Sequence, residues 1–130
     1  EESGLLGISG ISSDMREIEM SIARDGNARA KLSLEMYFYR LRKYIGAYAA
    51  VLNGLDILIL TGGIGENCRK LSTGICSGLD YLGIEVREDQ QIPSGEEMIV
   101  STEASRVKVL VIPTNEELAI AEETWNILSD

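Results

Sequence analysis

The sequence predicts an α/β fold with two parallel core strands, residues 55–60 and 107–112, flanked by helices. Three observations carry that expectation. Ile57-Leu58-Ile59-Leu60 and Val107 to Ile112 are short, nearly continuous apolar runs, the pattern of strands covered on both faces. Each ends abruptly in turn residues, Thr61-Gly62-Gly63 and Pro113-Thr114-Asn115. Helical periodicity separates and follows them, as a right-handed crossover between parallel strands requires. In such sheets ligands collect beyond the carboxyl ends of the strands. The two turns should therefore face one space.

Taken in order, Glu2 to Ile11 is rich in Gly and Ser and reads as a short helical turn and loop. Ser12-Ser13-Asp14 offers N-cap side chains for an amphipathic helix over about Ser13 to Arg24, closed by Asp25-Gly26. Asn27 opens the longest helix. Leu34, Phe38, Leu41, Ile45, Tyr48 and Leu52 recur on one stripe, widened by Tyr37 and Tyr44, until Asn53-Gly54 stops it. Aromatic residues so spaced belong in a core or a subunit contact rather than a stacking platform. After the first strong strand, Thr61 to Asn67 reads as a glycine loop, with Asn67 capping a helix over Cys68 to Leu79. Such a loop lets backbone approach a ligand, and the helix start would favour an anion. The alternative is a tight turn that binds nothing. Ile84-Glu85-Val86 and Met98 to Ser101 are brief strands around an exposed loop, Arg87 to Glu97. A final helix, Glu116 to Leu128, has Leu118, Ile120, Ala121, Trp125 and Leu128 as its apolar side.

Composition excludes several chemistries. At 130 residues the chain is one domain's worth, with 45% hydrophobic and 25% charged residues. A net charge of −9, from 21 acidic against 12 basic residues, argues against nucleic acid or an anionic membrane as main partners. There is no histidine, which removes His-based triads, zinc-protease motifs and histidine general bases. Cys68 and Cys76 stand eight apart with no CxxC partner, so a reduced, cytoplasmic protein is the expectation. No run reaches transmembrane length. The chain opens on Glu1-Glu2-Ser3 without Met, which reads as a piece of something larger.

Three stretches in order carry a resemblance: GISGISSDMREI (Gly7 to Ile18), TGGIGEN (Thr61 to Asn67) and VLVIPTNEELAIA (Val109 to Ala121). Ser33-Leu34-Glu35-Met36-Tyr37 and RKYIGAYAAVL (Arg42 to Leu52) extend it over essentially the whole chain. Together they resemble the carboxy-terminal portion of the acetate kinase (acetokinase) family. The resemblance implies a partial actin-like, ribonuclease-H-like ATPase domain, ATP/ADP and Mg²⁺ as cofactors, and phosphoryl transfer to acetate or, in close relatives, propionate. It implies a homodimer joined through this portion, with the aromatic helix as candidate contact. By the same likeness Asp14, Met15 and Arg16 contribute to the adenosine pocket. Gly63, Ile64, Gly65, Glu66 and Asn67 form the adenine- and phosphate-side loop. Glu116, with Glu117 as the adjacent alternative, serves the Mg²⁺ shell through water.

The residues themselves are compatible with these roles. A carboxylate at a strand's end suits a Mg²⁺ that keeps several waters, and a planar guanidinium can stack on a base. The plainer alternatives are that Asp14 only caps its helix, that Arg16 pairs with Glu19, and that Glu116 only complements a helix dipole. The family's amino-terminal Asn and Asp, its Arg and His at the transition state, and its HLGNG-type phosphate loop have no counterpart here. No catalytic residue is therefore expected in this chain. Two other classes compete: a dinucleotide-binding domain built on Gly63-Ile64-Gly65, and a non-catalytic interaction domain built on the aromatic helix.

Overall fold

The computed structural model describes residues 4–67, 71–87 and 95–129. Among the described residues, six helices and three strands follow in the order α1 (Gly4–Ser9), α2 (Met15–Asp25), α3 (Ala28–Val51), β1 (Ile57–Leu60), α4 (Gly62–Asn67), α5 (Leu71–Cys76), β2 (Met98–Ile99), β3 (Lys108–Val111) and α6 (Glu116–Ser129). A 3₁₀ turn, Asp80–Leu82, sits between α5 and β2.

The helix boundaries follow local chemistry. Asp14 caps α2 by accepting from the backbone N–H of Arg16, and Gly26 closes it in the left-handed conformation. Asn27 caps α3 by accepting from Arg29 and Ala30. Asn53, at φ 57°, turns the chain out of α3 toward β1.

β1 and β3 pair in parallel, Ile57 opposite Lys108 through Leu60 opposite Val111. β2 adds antiparallel to the other side of β3, giving the order β1-β3-β2. The sheet is thus mixed, with the parallel pair as expected. The strand expected at 84–86 reduces to one bridge, Val86 to Ser101. Most of the expected loop at 87–97 and the residue Cys68 lie outside the described residues.

One core joins the sheet to α2, α3 and α5. Val107, Val109 and Val111 meet Ile18, Leu34, Phe38 and Ile75, all buried. Gly74 makes the close approach of α5 to α3 possible, because a Cβ there would lie 2.2 Å from the Phe38 ring.

Three expectations about burial are corrected. β1 is an edge strand covered on one face only, so Ile57 and Ile59 remain 54% and 52% exposed. Along α3, Leu34 and Phe38 are buried and Leu41 and Ile45 half-buried, but Tyr48 and Leu52 are exposed as the helix runs past the sheet. No residue of α6 is buried; its apolar side, Leu118, Ile120, Trp125 and Leu128 included, faces outward. Amphipathic spacing marked a side of this helix, but all of its described residues are exposed.

Candidate functional site

The site begins with two short segments that the fold brings together. The first is the start of α2. Ser12 accepts from the backbone N–H of Asp14 at 3.0 Å, fixing the approach of the cap. Asp14 then accepts from the backbone N–H of Arg16 at 2.8 Å, while the Arg16 guanidinium folds back onto both of its carboxylate oxygens, the shortest contact being 2.7 Å. The expected alternative partner of Arg16 was Glu19; the observed ion pair is with Asp14. Charge-assisted hydrogen bonds favour the ionised forms of both groups. The Arg16 side chain thus holds the Asp14 carboxyl below its ordinary pKa, and Asp14 holds Arg16 above its own.

The second segment follows β1. Thr61 to Asn67 was expected to be a loop with Asn67 capping the next helix. Instead Gly62–Asn67 is itself a helix, and Asn67 lies within it, its Nδ2 donating to the Gly63 carbonyl at 2.9 Å. The glycines explain the difference. Gly62 takes φ +74°, which swings the chain directly off the strand. A Cβ on Gly65 would stand 3.0 Å from the Leu60 carbonyl carbon, so only glycine lets α4 turn back against the strand end. At Gly63 a Cβ would meet open space.

Between the segments lies a recess of about 500 Å³, lined by Ser13, Asp14, Met15, Arg16 and Glu19 from one side and Gly63, Ile64 and Asn67 from the other. Six of the residues singled out from the sequence thus meet in one cavity, although some fifty positions separate the two groups. A second recess of about 410 Å³ shares Arg16, Glu19 and Asn67 and continues over Met20, Ile22, Ala23 and Leu34. Both volumes suit a small molecule. Ser13 and Glu19 were not singled out as cavity residues. Glu19 lies one turn beyond Arg16 on the same helix face, and that spacing was the available signal.

Gly65 and Glu66 do not line the recess. Gly65 is buried against the strand. Glu66 reaches Thr114, accepting from its backbone N–H at 2.9 Å and its hydroxyl at 3.2 Å. The Thr61 hydroxyl donates to the Ile112 carbonyl at 2.7 Å, and the Ile112 N–H donates to the Leu60 carbonyl at 3.0 Å. The two turns therefore converge at one edge of the sheet, as the parallel pairing demands. Asn115 caps α6 by accepting from the Leu118 N–H. Glu116 and Glu117 stand exposed in its first turn.

Among the described residues no three acidic, His or Cys side chains cluster as a ready metal site. A lone carboxylate such as Glu116 fits Mg²⁺ only where phosphate oxygens and water complete the octahedron.

The chain is similar to known proteins over nearly all of its length. The acetokinase family model matches residues 1–122. The acetate kinase of Phocaeicola vulgatus is 50% identical over 129 residues, covering 99% of this chain and 32% of that protein. That of Clostridium botulinum is 51% identical over 127 residues, covering 98% and 32%. Among solved structures, Porphyromonas gingivalis acetate kinase superposes with a TM-score of 0.86 at 46% identity, over 98% of this chain and 32% of that one. A propionate kinase from Francisella tularensis gives 0.79 at 41% identity, over 95% and 31%. The chain spans about a third of the length of these relatives. With the family model matched over nearly its whole length, this chain belongs to the acetokinase family.

Proposed function

We propose that the chain is the carboxy-terminal, adenosine-side part of a kinase that reversibly transfers the γ-phosphoryl group of ATP to acetate, giving acetyl phosphate and ADP. On this reading it is part of an actin-like ATPase domain, and the recess between α2 and α4 holds the nucleoside. The observation that carries it is the meeting of Asp14, Met15 and Arg16 with Gly63, Ile64 and Asn67 in that recess. The open space at Gly63, where a Cβ would intrude, supports a ligand lying close to main chain. Ile64 supplies an apolar surface for a base, and the Arg16 guanidinium a planar one.

Bound Mg²⁺ would neutralise phosphate charge at this edge of the sheet, with Glu116, or Glu117 beside it, as the carboxylate that orders its waters. The chain's own residues bind and orient. None of them supplies the positive charge that phosphoryl transfer requires on the moving group, so the chain alone is not expected to turn over. The parent enzyme is read as a cytoplasmic homodimer acting on small molecules, without nucleic-acid or membrane partners. The net charge of −9 argues against nucleic acid and anionic membrane surfaces as main partners. Propionate is the second candidate acceptor, supported by the similarity to the propionate kinase structure.

Titration of the chain with a fluorescent ATP analogue tests the reading. Weak, saturable binding is expected, reduced about tenfold or more by Gly63→Val, a loss of about 1.4 kcal/mol. Hydroxamate trapping with acetate and ATP should detect no acetyl phosphate. Absence of saturable binding, or binding indifferent to Gly63→Val, would sink the nucleotide assignment; trapped product would sink the claim of inactivity.

A further inference from the structure

The helix that forms one wall of the recess has a second face. Gly63, Ile64 and Asn67 of α4 look into the cavity. Glu66, from the same helix, takes both donors of Thr114 on one carboxylate oxygen. Thr114 lies one residue before the cap of α6, and Asn115 then holds the first turn through the Leu118 N–H. Since no residue of α6 is buried, packing does not set its direction. The hydrogen bonds of Thr114 and Asn115 lie at its root.

We propose that Glu66 is a positioning residue: it ties the nucleotide-facing helix α4 to the root of α6, so that occupancy of the recess is transmitted to the helix carrying Glu116. This rests on the reading of the recess as a nucleotide site. It assigns the Glu66 carboxylate to the protein rather than to the ligand, which the sequence alone did not separate. The chemistry suits the role. A carboxylate oxygen accepting an N–H and an O–H from one residue fixes that residue in two directions, and charge strengthens both bonds. A backbone donor cannot be lost by side-chain rotation, so the tie follows the main chain of the 113–115 turn. A ligand that shifts α4 by a fraction of an ångström must carry Thr114 with it or break these bonds. A lever as long as α6 amplifies the difference: its 14 residues span about 21 Å.

Trp125 is the sole tryptophan, sits in α6 and is exposed, so its emission reports on that helix without a label. The test compares the chain with Glu66→Ala, Glu66→Gln and Thr114→Val. Three readouts are needed: affinity for a fluorescent ATP analogue, the Trp125 response to unlabelled ATP, and amide hydrogen exchange over residues 113–119. Glu66→Gln keeps an oxygen able to accept both Thr114 donors, without the charge, and should stay closer to the parent than Glu66→Ala. Thr114→Val keeps only the N–H bond and should fall between. For Glu66→Ala, affinity should stay within about threefold, exchange over 113–119 should rise at least about tenfold, and the Trp125 response should vanish. A tenfold loss of affinity in Glu66→Ala would mean that Glu66 touches the nucleotide, and would overturn the proposal. So would a Trp125 response that survives in Glu66→Ala, or a parent chain that binds nucleotide with no response at all. If the parent binds no nucleotide, the functional reading fails by itself. The exchange comparison then still judges the tie, which falls if Glu66→Ala leaves 113–119 unchanged.

Discussion

Cys76 shows how a single side chain reports on the core. It is buried at the end of α5, and burial pushes its thiol from 9.0 up to about 11. The thiolate is the reactive form. Iodoacetamide at pH 7.5 should therefore leave Cys76 unmodified in the folded chain and label it after urea, as read by peptide mass spectrometry. The same shift sets a pH dependence. A folded value above the unfolded one means that the neutral thiol's contribution is complete below about pH 9 and is lost as pH rises toward 11. The urea midpoint should decline across that window less steeply in Cys76→Ala than in the parent. At this scale the sequence was legible wherever partners are close along the chain. The caps Asp14 and Asn27 and the stop at Gly26 needed no tertiary knowledge. The partner of Arg16 was not legible, since Asp14 and Glu19 are both in reach. The capping turn decided it by presenting both Asp14 oxygens to the guanidinium fork.

Among the elements, α5 approaches α3 closely at Gly74. Gly74→Ala would drive a methyl into the Phe38 ring, an overpacking that costs about 1–3 kcal/mol. Urea unfolding should show the loss, and Phe38→Leu in the same chain should recover part of it. An unshifted midpoint for Gly74→Ala would mean that the two helices can part freely. Arg42 reinforces the pair from the other side, donating to the carbonyls of Gly74 and Ser77 near the end of α5. Periodicity located α2, α3, β1, β3 and α6 to within a few residues because each is an unbroken pattern. It missed α4 for a physical reason. Three glycines in four positions look like a loop by propensity, yet Gly65 is there for close approach to Leu60 and only Gly62 uses a left-handed φ.

For the molecule as a whole, the outward apolar faces dominate behaviour in solution. Ile57 and Ile59 on the edge strand, with Ile120, Trp125, Ile127 and Leu128 on α6, are exposed apolar side chains available for association. An unpaired strand edge adds to the tendency to associate. Light scattering is expected to find dimers or larger species; a monomer persisting at high concentration would contradict this. The sequence marked those faces as apolar but could not say what covers them, because a pattern names a side and not its neighbour. The convergence of the two turns was legible only through topology, from the inference that the two apolar strands run parallel. That pairing carries a further implication. Buried Val109 and Val111 fix which way β3 faces, and so which of its residues lies beside Leu60. A slip of one residue between the strands would reverse every side chain on the slipping strand and displace one chain reversal from the other by about 3.3 Å. The alignment of Glu66 with Thr114 is therefore written in two valines of the neighbouring strand.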